Sequence, residues 1–74
     1  MILKEGYIMK WLVEWEDEEK NTGELWCDTW QNVMENFTDL VGDTTNSIMK
    51  LDVISYMGDK PYMPDGEPVI KFRN

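Results

Sequence analysis

Between Tyr7 and Glu16 the chain reads YIMKWLVEWE, and Tyr7, Met9, Trp11, Val13 and Trp15 all fall on one parity. Lys10, Glu14 and Glu16 fall on the other, with Ile8 and Leu12 as apolar exceptions. Side chains alternate across a strand, so this spacing predicts a strand with one strongly apolar face. An acidic run, Glu16-Asp17-Glu18-Glu19, ends it. Whatever else the chain forms must cover that apolar face.

A chain of 74 residues is expected to be one domain spanning residues 1–74. Domains this small bury only about 60% of the surface their unfolded chains expose, so large side chains matter most. Four Trp, three Tyr and two Phe supply them. Residues 17–23, DEEKNTG, predict a hairpin connection in which Asn21 and Gly23 accept positive φ. A short second strand is expected over residues 24–27.

The helix is the plainest element. Trp30, Val33, Met34, Phe37, Leu40 and Val41 share one helical face, opposite Gln31, Asn32, Glu35, Asn36, Thr38 and Asp39. Asp28 or Thr29 caps its start, and residues 28–31 have capping-box spacing. Gly42 sits where a C′ glycine closes a helix. After a turn at residues 43–46, Met49, Leu51, Val53 and Met57 alternate with Lys50, Asp52 and Tyr56, predicting a strand over 47–57. Residues 58–68 hold all three prolines and read as a loop. A last strand, residues 69–73, turns Ile70 and Phe72 inward.

The expected fold class is therefore α+β: a small, mostly antiparallel sheet, β-β-α-β-β in sequence, with one amphipathic helix on one face. One helix leaves the other face open. Ile8, Leu12, Ile48, Ile54 and Tyr56 are expected there, mixed with Lys10, Glu14, Lys50 and Asp52.

Chemistry is bounded by what is missing. The chain has no histidine and a single cysteine, Cys27, set between large apolar residues and expected to be a buried thiol. One cysteine excludes an internal disulfide and suits a reducing compartment. No phosphate-binding glycine motif occurs, and residues 59–67 lack EF-hand spacing, so neither a cofactor nor a metal is expected. Carboxylates alone need a pocket to become catalytic, and the expectation is a non-enzyme. Asn36-Phe37-Thr38 matches a glycosylation sequon, but it falls within the expected helix. The first residues lack the apolar core of a signal peptide, and no run approaches a membrane span. A cytoplasmic location is expected.

Fifteen acids against seven bases give a net charge of −8. Such a chain repels nucleic acid and anionic lipid and is drawn to basic protein surfaces. Trp15 runs straight into four acids, which argues against base stacking by the tryptophans. The residues expected to carry binding are Glu14, Glu16, Asp17, Glu18, Glu19, Glu35 and Asp39. Glu14, Glu16 and Glu18 would stand about 6.6 Å apart on an extended strand, and Glu35 and Asp39 about 6 Å apart on a helix. Carboxylates so spaced present a phosphate-like row to the basic groove of a nuclease or another nucleic-acid enzyme. In size, acidity and lack of motifs the chain resembles, in general character, the small inhibitors that bacteriophages direct against host defences or host enzymes. The rival expectation is a structural module that forms a homodimer through the open sheet face. Tyr62 and Met63, between prolines, are candidates for a loop anchor or for folding back on the core.

Overall fold

A computed structural model describes residues 9–61 and 67–74. The order is β1 (Met9–Asp17), β2 (Thr22–Cys27), α1 (Trp30–Gly42), a 3-10 turn (Thr44–Asn46), β3 (Ile48–Met57), β4 (Lys60–Pro61) and β5 (Ile70–Arg73). Every pairing is antiparallel: β2 on β1, β1 on β3, and both β4 and β5 on the far side of β3. The α+β class is as expected. One element is added, because Lys60–Pro61 pairs with Tyr56 and Met57 inside the segment expected to be loop. Gly58, with φ 67°, takes the first central position of the two-residue turn joining β3 to β4, which favours glycine.

The helix lies over the face built from the odd residues of β1. Val13, Val33, Leu51 and Val53 are completely buried, joined by Cys27 and Ile48 and flanked by Trp11, Trp15, Phe37, Ile70 and Phe72. Two edge-to-face ring pairs tie helix to sheet: Trp11 with Trp30 at 5.9 Å and Phe37 with Phe72 at 6.2 Å. Trp30, expected in the core, is nonetheless exposed beyond this contact, as is Met34. Met34 sits at the margin of the helical stripe, and Trp30 is the first residue of the helix, at its open end.

Thr29 is the N-cap, its hydroxyl oxygen accepting from the Asn32 N–H at 3.1 Å. The capping box does not form, since Gln31 donates forward to Glu35. Gly42 is the last helical residue and not a C′ glycine; the helix ends at Asp43, and Asn46 Nδ2 satisfies the freed carbonyls of Asp39 and Leu40 at 3.2 and 3.1 Å.

Register departs from simple alternation once. Glu16 pairs with Lys50 but Asp17 pairs with Ile48, so Met49 is an extra residue in β3. Such a bulge flips the parity beyond it. Ile48, expected on the open face, is therefore in the helix-covered core at 6% exposure, and Met49, expected inside, is 39% exposed.

The first hairpin also closes differently from expectation. The Lys20 N–H bonds the Asp17 carbonyl at 3.1 Å, and Lys20 itself takes the left-handed conformation, φ 71°. Gly23 lies in β2 and serves space: a Cβ there would overlap the Trp15 ring. Ile8 and Tyr7, and Tyr62 and Met63, lie outside the described residues.

The two glycines predict opposite outcomes for the same substitution. Gly42→Ala meets only the Thr38 methyl at 3.8 Å and removes a flexible helical residue, so it should stabilise by about 0.5–1 kcal/mol. Gly23→Ala must displace the Trp15 ring and should destabilise by about 1–3 kcal/mol. Thermal midpoints that move apart, up for the first and down for the second, are the expected result.

Candidate functional site

Antiparallel register lines up the open face in cross-strand rows. Thr22, Glu16, Lys50 and Arg73 form one, and Glu24, Glu14, Asp52 and Lys71 the next. Above them come Trp26, Leu12 and Ile54, then Lys10, Tyr56 and Pro61. Leu12, Ile54 and Tyr56 thus lie where the sequence pattern puts them. Trp26 and Tyr56 meet edge to face at 4.9 Å across β1. With Leu12 beneath this pair, it is only 7% exposed on a face no helix covers, while Trp26 remains 51% exposed.

The face is charge-segregated. In the two charged rows Glu24, Glu14 and Glu16 lie on β2 and β1 and Lys71 and Arg73 on β5, while β3 between them carries both Lys50 and Asp52; Lys10, on β1, stands in a separate row. Asp52 is held by Arg73 through two contacts, at 2.9 and 3.3 Å. Glu16 pairs with Lys50 at 3.2 Å and with the highly exposed Lys20 at 3.8 Å. Glu14, directly between Glu24 and Asp52, has no ion pair among the described residues. Like charges opposite one another destabilise a sheet by a few tenths of a kcal/mol to about 1 kcal/mol.

The acids expected to act together divide between two surfaces. Glu14 and Glu16 are on the open sheet face. The strand ends at Asp17, so Glu18 does not continue their row and lies with Glu19 in the turn. Glu35 and Asp39 are exposed on the outer side of α1, across the domain from the open face. The turn and the helix end do come together: the Glu18 N–H donates to the Ser47 carbonyl at 3.0 Å, beside the Asn46 that caps the helix. Asp17, Glu18, Glu19, Asp39 and Asp43 consequently share one end of the domain. No base occupies the last turn of α1, whose carbonyl end already carries partial negative charge.

Two of these carboxyls are firmly anionic. Burial pushes Asp17 up, but the backbone N–H and side chain of Asn21 and the backbone N–H of Glu19 outweigh it and hold it below the ordinary range. The Thr45 hydroxyl, at 2.6 Å, and N–H, at 3.0 Å, hold Asp43 down. Cys27 moves the other way. Burial raises its thiol, partly countered by Asn36 Nδ2 at 3.7 Å, so it is a packed group and a poor nucleophile.

Among the described residues, no group of three or more carboxylate or cysteine side chains is arranged to hold a metal ion, and no helix is long and apolar enough to cross a membrane. The clefts are open surface grooves. One follows Glu14, Glu24 and Asp52; another lies along Glu35 and Asp39. The chain matches no protein-family model, no curated protein and no solved structure.

Glu24, Asp52, Lys71 and Arg73 complete the charged pattern of the open face and were absent from the expected binding set. Only the register brings them beside Glu14 and Glu16.

The two lowered carboxyls predict a pH dependence. A carboxyl with a lower pKa folded than unfolded stabilises fully above the unfolded value, about pH 4, and loses that contribution as pH falls through the folded one. Urea midpoints should therefore drop on acidification below about pH 4. In Asp17→Asn and Asp43→Asn the drop should be shallower; slopes equal to wild type would contradict the assignment.

Proposed function

We propose that the protein is a small non-enzymatic binding protein that docks on a basic protein surface, as an inhibitor occupying the nucleic-acid site of a nuclease or similar enzyme. The observation that carries this reading is the negative pole where the first hairpin meets the end of α1. The nearby bases Lys50 and Arg73 are already paired to Glu16 and Asp52, and Lys20 leans on Glu16. Among the described residues Glu18, Glu19 and Asp39 therefore make no ion pair of their own, although Lys20 and Lys50 line the groove beside Glu18.

Stability does not account for that placement. Asp39 stands in the last turn of the helix, where an acid opposes the macrodipole, and Glu35 and Asp39 repel at i, i+4. Each costs a few tenths of a kcal/mol. A field strong enough to steer a basic partner is what the arrangement supplies in return, and the partner's Lys and Arg would meet carboxylates in place of phosphates. A role of the kind phage-encoded inhibitors play against host defences, in the cytoplasm, is consistent with a chain of this size and charge.

The test is capture from bacterial lysate on immobilised protein, beside a Glu18→Lys/Glu19→Lys/Asp39→Lys variant. Wild type should retain a nucleic-acid enzyme that is released by added salt and by competing duplex DNA, and the variant should lose it. Equal capture by both proteins would end the reading.

A further inference from the structure

We propose that the open sheet face binds a second copy of this chain, with a two-fold axis running parallel to the strands. This concerns a different surface from the negative pole and does not rest on it. The face is electrically balanced within a strongly acidic protein. Glu14, Glu16, Glu24 and Asp52 are matched there by Lys10, Lys50, Lys71 and Arg73. Among the described residues four acids and four bases lie on it, leaving nine acids and two bases on the other surfaces. Two copies at −8 repel through any other surface.

The segregation of charge selects the axis. A two-fold parallel to the strands keeps each row at its own height and exchanges left for right, bringing β2 of one copy over β5 of the other. Glu24 then faces Lys71, Glu16 faces Lys50, Leu12 faces Ile54, and the Lys10 ammonium meets the Tyr56 ring. Only Glu14 meets a like charge, Asp52, which Arg73 already holds. A two-fold across the strands instead reverses the rows and sets Trp26, Leu12 and Ile54 against carboxylates, which strips charge of water without a partner.

The five strands together, at about 3.3 Å per residue and about 4.8 Å between strands, cover roughly 490 Å² per copy before side-chain relief. That lies below the roughly 600 Å² per partner at which standard interfaces begin, the size of a weak dimer held by its charge pattern. Trp26, half exposed and braced on Tyr56, supplies the aromatic anchor such interfaces use.

Sedimentation equilibrium on the full chain tests the proposal. Wild type is expected at twice 8.8 kDa. Glu24→Lys and Lys71→Glu should each weaken self-association about tenfold or more, and the double variant should restore it to within about threefold of wild type. Glu35→Lys on the helix removes the same negative charge as Glu24→Lys and should leave the dimer as tight or tighter. Circular dichroism confirms that each variant is folded, and Trp26→Glu, at an exposed position, gives a second disruption. A wild-type chain that is monomeric at about 1 mM overturns the proposal. So does a dimer in which Glu24→Lys and Glu35→Lys behave alike, or one that the double variant fails to restore.

Discussion

The structure depends on burying one face of a narrow sheet beneath one short helix. Val13 of β1, Leu51 and Val53 of β3 and Val33 of α1 are the only described residues whose large side chains are fully excluded from water. Together with Cys27 they make a small core, in which each buried side chain counts. The aromatics work mostly from the margins: Trp11, Trp15, Phe37 and Phe72 are partly buried and seal the edges of that cluster. A second helix would be needed to cover the other side. Among the described residues no second helix does so, and a small aromatic roof, Trp26 on Tyr56, shelters Leu12 there.

Much of this was legible in the residue pattern. Odd-parity apolar residues in β1 and the 3-4 spacing from Trp30 to Val41 define the two halves of the core directly, and Ile70 and Phe72 follow by the same rule. Ile48 and Met49 exchange places because one inserted residue reverses parity, and no local signal marks a bulge in IMKLDV. Gly42 and Gly23 were misread for a related reason. Glycine announces freedom of backbone or of space, and only the structure tells which is used. Lys60–Pro61 is too short and too proline-rich to register as a strand until β3 is there to pair with it.

The binding surfaces were less legible. Acid content is a property of composition, but its division between a negative pole and a balanced face is a property of register. Glu16 looked like part of the acidic run; it faces Lys50. Glu24 and Lys71 looked unremarkable, yet they form the two ends of one row. A dimer about a strand-parallel axis would also keep both negative poles at the same end, doubling the charge shown to a basic partner. The two proposals concern separate surfaces but would reinforce one another.

The proposed dimer is defined by which residues meet across the open face. Isotope-filtered nuclear Overhauser measurements, on an equal mixture of labelled and unlabelled chains, read this directly. Intermolecular contacts between the methyl groups of Leu12 and Ile54, with none to Met34 on the helix, are the predicted result. Contacts through the helix surface would contradict the account, as would none on the sheet in a sample that sediments as a dimer.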